Sequence, residues 1–168
     1  EVYFIHRLDK NTSGIMVFAL NKETENELLL GFKNRNFIKE YKCEVYGLLN
    51  KKEDVLEAYL LKNSENNSVK IFDNKVKDSV PIKTGYKVIE EKEKTSVLSV
   101  RLYTGKTHQI RAHLSHIGHF IIGDGKYGND NINREFGVKE QKLCSYKLTL
   151  KFDNKSPLYY LNNKVFEI

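Results

Sequence analysis

Cysteine is scarce in this chain: only Cys43 and Cys144 occur among 168 residues, far apart and in no C-x-x-C pattern. Two ordinary thiols in a reducing cytosol are expected. Long apolar runs are missing as well. The run Ile15-Met16-Val17-Phe18-Ala19-Leu20 falls far below the ~18–20 apolar residues that a membrane span needs. No charged segment leads into an apolar stretch at the start, so no secretory signal is expected. Repeats and low-complexity tails are also absent, and membrane and secreted classes drop out.

What is present is a core. Hydrophobic residues make up 40% of the chain and aromatics 11%, which excludes intrinsic disorder and suits one domain over 1–168. Lysine and arginine number 28 against 22 acids, a net charge of +6. That modest excess fits a polyanionic partner and fits a solvated lysine-rich surface equally well. The chain opens on Glu1 inside an apparent strand, Val2-Tyr3-Phe4-Ile5, so a preceding segment of a longer protein is expected.

Along the chain, His6 to Gly14 is a polar loop between that strand and a second apolar one over 15–20. Asn21 can cap a helix over 22–34, with Glu23 and Glu25 in its first turn and Lys33 and Arg35 near its end. Alternation through Phe37, Lys39, Tyr41, Cys43 and Val45, closing at Gly47, predicts a half-buried strand. Further strands are expected near 55–61, 69–72, 83–90, 96–103, 143–152 and 157–161 or beyond, and a helix from Thr107 to a stop at Gly118. Residues 124–140 read as loop. The class is α+β on a mixed, mostly antiparallel sheet with flanking helices.

Three constellations carry possible chemistry. Gly123-Asp124-Gly125-Lys126-Tyr127-Gly128 matches a dinucleotide fingerprint, but Asp124 would repel a pyrophosphate and no acid stands near 143–145 for a ribose. Its glycines read as turn residues. His108, His113, His116 and His119 suggest a metal-dependent hydrolase. On a helix, however, His108 and Arg111 share one flank and His113 and His116 the other, with no acid anywhere in 105–123. Solvated or RNA-facing histidines are the expectation. The loop His6-Arg7-Leu8-Asp9-Lys10-Asn11-Thr12-Ser13-Gly14 sets a carboxylate between two cations. Asp9 is its sharper candidate, against an ordinary turn aspartate or a Ser13 nucleophile that lacks a G-x-S-x-G elbow.

Four segments together resemble the RluA-type RNA pseudouridine synthases, the family of large-subunit ribosomal RNA pseudouridine synthases. HRLDKNTSGIMVFA (6–19) resembles their catalytic motif and IKEYKCEVYG (38–47) their tyrosine-bearing strand. LYTGKTHQIRAHLSHIGHFIIGDGKYG (102–128) resembles their third motif and QKLCSYKLTLKF (141–152) the strand after it. The resemblance implies an isomerase that converts uridine in RNA to pseudouridine with no metal or organic cofactor. It implies a central cleft on the sheet and a cytoplasmic location. A monomer is the default expectation. Ribosomal RNA is the implied partner, with transfer RNA an alternative.

Residue by residue, Asp9 matches the essential aspartate, acting as nucleophile on uracil C6 or ribose C1′ or by abstracting a ribose proton. Arg111 matches the arginine that pairs with it, and Tyr41 the tyrosine that stacks on the base. Arg7 would help hold the opened RNA. Ile122 matches an aliphatic residue of the pocket. His6, Lys10, Lys106 and His108 are implied phosphate or pocket contacts. Lys106 stands where the family usually has arginine, which removes bidentate geometry, and Phe120 where it often has proline. The family also carries a strand-rich segment before the HRLD motif, often after an S4 domain. A non-catalytic RNA-binding module is the rival reading.

Overall fold

The alternating segment predicted over 37–47 folds as the strand Ile38–Tyr46, and the rest of the molecule is laid out from it. A computed structural model describes residues 1–168. In chain order the strands are β1 (Tyr3–Phe4), β2 (Ser13–Gly14), β3 (Phe18–Ala19), β4 (Ile38–Tyr46), β5 (Glu53–Asn63), β6 (Ser68–Phe72), β7 (Val80–Glu91), β8 (Thr95–Leu102), β9 (Leu143–Thr149) and β10 (Val165–Glu167). The helices are α1 (Lys22–Lys33), α2 (Gln109–His116) and α3 (Asp130–Glu135). The main sheet runs β10-β9-β4-β8-β7-β5-β6 with antiparallel neighbours throughout, and β2 joins β9 in parallel. This is the expected α+β architecture, and no helix is long and apolar enough to cross a membrane.

Register decides what the sheet presents. Tyr41 pairs with Val100 and Cys43 with Leu98, while Tyr86 faces Val100 from the other side. Side chains at these positions point to one face, and α2 packs there through Ile110 and Leu114. Burying each such aliphatic side chain contributes about 1.5–3 kcal/mol. Ala112 of the same helix reaches a neighbouring cluster with Leu60, Ile71 and Ile82. The opposite face carries exposed Lys42, Glu57, Lys87 and Arg101, the one-sided alternation usual for an antiparallel sheet.

α1 begins where expected, because the Asn21 side chain accepts from the Thr24 backbone N–H at 2.8 Å. Its Leu28 enters a second cluster with Phe37, Leu148 and Leu150. The last strand lies beyond 157–161, at Val165–Glu167, after a 3-10 turn at Tyr159–Leu161. Three expectations change. Only Phe18–Ala19 of the 15–20 run forms a ladder. α2 begins at Gln109 because His108 adopts a left-handed conformation, φ 53°. The 124–140 loop contains α3, since Asn129 caps it by accepting from the Asn131 and Ile132 N–H groups. Asparagines that read as loop formers act here as cap and anchor.

His113 is a correction too. It is 1% exposed, with Nδ1 2.9 Å from the Thr84 hydroxyl, so it faces the core and neither solvent nor RNA. Burial, with a smaller push from His116, lowers its pKa to about 4. The unfolded imidazole, with a pKa near 6.5, therefore binds more protons than the native one between those values, and stability rises with pH across that window. Between pH 6.5 and 5 we expect a loss on the order of 2 kcal/mol from this group, with His6 and His108, also lowered by burial, acting in the same direction. Urea denaturation at the two pH values measures it. A His113→Gln variant should flatten the profile, and an equal slope in both proteins would refute the assignment.

Candidate active site

The polar loop that follows β1 is pinned at three places. His6 Nε2 accepts the Val17 N–H at 3.0 Å while its ring stacks on Phe32 at 4.6 Å. The Gln141 amide donates to the Lys10 carbonyl at 2.6 Å and to the Thr12 hydroxyl at 3.3 Å. Gly14 lies against β9 so closely that a Cβ would sit 2.1 Å from the Ser145 carbonyl oxygen, and its φ of +118° suits glycine. These ties hold Asp9 at the edge of a cavity of about 590 Å³.

α2 brings Arg111 to the same cavity. Gln109 anchors the start of the helix, donating to the Lys83 carbonyl at 3.1 Å and the Thr84 hydroxyl at 3.0 Å. Arg111 Nε donates to Asp124 at 2.7 Å and Nη2 to the other Asp124 oxygen at 3.0 Å. That leaves Nη1 to face Asp9 Oδ2, at 3.4 Å. The guanidinium carbon also lies 5.2 Å from the Tyr127 ring centre. Burial disfavours the Arg111 charge, but the hydrogen bonds and charge of Asp124, then of Asp9, outweigh it and hold its pKa above the ordinary value. For Asp124, burial is likewise outweighed, by Arg111 and by the Tyr127 and Lys126 N–H groups, and its pKa is lowered.

Tyr41 completes the group from β4. The ladder between β4 and β9 shifts at Glu40/Tyr41, where Tyr146 of β9 is the extra residue, while the register of β4 on β8 runs unbroken and keeps Tyr41 on the inward face. Burial pushes the Tyr41 hydroxyl up to about 12, with Asp9 adding to the effect and Ser145 opposing it. The ring is therefore a neutral phenol at physiological pH. Leu102, Ile110 and Leu143 supply an apolar floor beside it.

The remaining expected site residues are distributed unevenly. Arg7 and Lys106 line both this cavity and an adjoining one of about 710 Å³ that has no apolar lining. Lys10 and His108 line only the second. His6 lines the first, with one ring nitrogen engaged by Val17. Ile122 lines neither: it is fully buried behind the site, its N–H bound to the Glu44 carbonyl at 2.9 Å. Ile110, nearer the cavity, takes the apolar place expected of it. The four histidines reach four separate partners: the Tyr127 hydroxyl, Thr84, Asp73 and the Tyr46 carbonyl. They do not converge on one point.

Asp124 is the residue that sequence reasoning misjudged. Its acidity spoke against a pyrophosphate, but nothing in the local pattern names Arg111 as its partner 13 positions away. Asn133 of α3 supports it, accepting the Gly123 N–H at 2.8 Å and donating to the Asp124 carbonyl at 3.1 Å.

Residues 1–116 match the family model described as RNA pseudouridylate synthase. The chain is 31% identical over 153 residues to the ribosomal large subunit pseudouridine synthase C of Vibrio parahaemolyticus, covering 90% of this chain and 47% of that protein. It is 35% identical over 147 residues to the ribosomal large subunit pseudouridine synthase D of Blochmanniella floridana, covering 86% and 44%. The chain thus spans about half the length of these curated relatives. The solved structure of human RNA pseudouridylate synthase domain containing 1 superposes with a TM-score of 0.81 at 27% identity, over 92% of this chain and 66% of that one.

The two ion pairs of Arg111 should behave differently on mutation. Asp124 is 0% exposed, so Asp124→Asn leaves a buried guanidinium short of its counter-charge and should cost about 3 kcal/mol. The Asp9 side chain is 29% exposed and its single contact is long, so Asp9→Asn should cost under ~1 kcal/mol. Urea midpoints of the two variants test this, and equal losses would contradict it.

Proposed function

The chain belongs to the RNA pseudouridylate synthase family, and from that premise we propose that it isomerises uridine in RNA to pseudouridine, with Asp9 as the reacting carboxylate. Residues 1–168 act as the catalytic domain in this reading. The observation that carries it is the approach of Asp9 and Arg111, 102 positions apart in sequence and 3.4 Å apart in space, at the mouth of a cavity of about 590 Å³.

The chemistry follows from the parts. The bond from ribose C1′ to uracil N1 breaks, the uracil turns, and C1′ bonds to C5. The C5 hydrogen leaves as a proton while N1 takes one up. Asp9 is the nucleophile or proton acceptor, and the Arg111 Nη1–H aims it. Tyr41, a neutral phenol over an apolar floor, offers its ring to the uracil, a contact worth about 1–3 kcal/mol per base in nucleic-acid sites. A base must leave its stack to enter such a cavity. The adjoining polar groove, with Lys10, Lys62, Lys126 and Lys139 on its walls, suits the phosphate backbone that stays outside. Large-subunit ribosomal RNA is the proposed substrate, by analogy with the curated relatives, and the cytoplasm the proposed location. A monomer is the proposed working state.

Release of tritium from RNA labelled at uridine C5 tests the reaction wherever in the RNA the target uridine lies. The wild-type chain should release label from total RNA lacking the modification, and Asp9→Asn should lose at least about 10³-fold, a barrier difference near 4 kcal/mol. RNA binding with no release by either protein would make this a binding module and sink the proposal.

A further inference from the structure

Lys39 stands two residues before Tyr41 on β4 and on the same face of the sheet, which sets the two Cα atoms about 7 Å apart. Its side chain lines the cavity that holds Asp9, Tyr41 and Arg111. Four lysines of the chain are half-buried: Lys39, Lys83, Lys147 and Lys151. Lys83 has Glu57 at 3.4 Å, Lys147 has Glu167 at 3.7 Å, and Lys151 donates to the Asn163 side chain. Lys39 makes no hydrogen bond and no ion pair with the protein. Its near neighbours are the Phe32 ring, 5.9 Å away at the outer limit of a cation–π contact, and the open backbone of Gly105, where a Cβ would come within 2.7 Å of its ammonium.

An uncompensated half-buried ammonium costs stability, and its surroundings make that worse. Arg7, Lys33, Arg35, Lys39, Lys106 and Arg111 all line this cavity, against the single carboxylate of Asp9. That carboxylate already faces Arg111. Burial first, and the Arg35 charge second, lower the Lys39 pKa. No acceptor or carboxylate of the protein offsets the arrangement. A bound anion would, and the apolar floor beside it favours an anion that also carries a ring. A nucleotide offers both parts: a base for Tyr41 and a phosphodiester for the ammonium.

We propose that Lys39 is the anchor of an anion subsite that binds the phosphodiester next to the extruded uridine, with Gly105 left bare so that the ammonium can reach it. The assignment rests on the RNA reading above. Lys39 gives up folding stability to hold a charge ready for the substrate, the trade expected of a binding residue.

The probe is a fluorescent single-stranded oligouridylate, titrated with the wild-type chain at several salt concentrations. Lys39→Met keeps the aliphatic stem and should weaken binding about tenfold at low salt. It should also reduce the slope of log affinity against log salt by about 0.7, one phosphate contact on a single strand. Lys39→Arg should keep the slope, and Lys87→Met, an exposed lysine on the far face, should change nothing. Gly105→Ala should reproduce part of the Lys39→Met loss by pushing the ammonium aside. The melting temperature separates binding from structure: Lys39→Met should melt at or above the wild-type value. An unchanged slope, or a melting temperature several degrees lower, overturns the subsite while wild-type binding upholds the RNA reading. No salt-dependent binding by the wild type overturns both.

Discussion

A guanidinium can be buried only if its donors are met, and Arg111 meets that condition by splitting them. Two nitrogens go to Asp124, which is itself sealed from solvent, and the third is turned toward Asp9. The site and much of its frame depend on that division. α2 must lie across the sheet for Arg111 to reach Asp124, and Gln109 and His113 fasten the helix to β7 through Thr84. The Gly123–Gly128 turn must present Asp124, and α3 holds that turn through Asn133. A tight inner pair and a looser outer one are what a site needs if one carboxylate is to hold the arginine and the other is to react.

Glu44 follows the same rule elsewhere on the sheet. Glu44, 9% exposed on β4, accepts from Thr95 at 2.7 Å, Lys142 at 2.8 Å and Lys92 at 3.2 Å. Those donors outweigh its burial and bring its pKa down to about 2. The buried Cys43 thiol is raised by burial alone, which leaves it inert. Lys39 has no such partner in the protein, and it lies where a substrate anion would. The cavity walls carry the excess positive charge of the chain, so the modest net charge is better read as a local field than as a solubility device.

The two cavities divide the labour of the proposed reaction. The first has an apolar floor, a neutral phenol and a carboxylate, and would exclude water from the reacting base. The second is polar throughout and shares Arg7, Asp9, Gly105, Lys106 and Arg111 with the first. A strand crossing the second can deliver one nucleotide into the first without the rest of its backbone losing hydration. Asp9 sits at their junction, pinned by hydrogen bonds from both ends of its loop.

Most strands and the α1 cap were legible in the order of residues, because alternation of side chains and a capping asparagine are local rules. Motifs in family order also named Asp9, Tyr41 and Arg111, as resemblance rather than physics. Local rules could not place partners distant along the chain. The second half of α2 reads as two histidine flanks on a wheel, but sheet register put His113 against Thr84. Asn129 to Asn133 reads as loop by propensity, but capping and the need to brace Asp124 made it helix. Ile122 matched a pocket position, and packing sent it behind the pocket. Lys39 falls in phase with Phe37, Tyr41, Cys43 and Val45, so alternation alone already sets it on the inward face. That it stands there without a counter-charge is announced by no local pattern, because compensation of a charge depends on what the fold brings within reach.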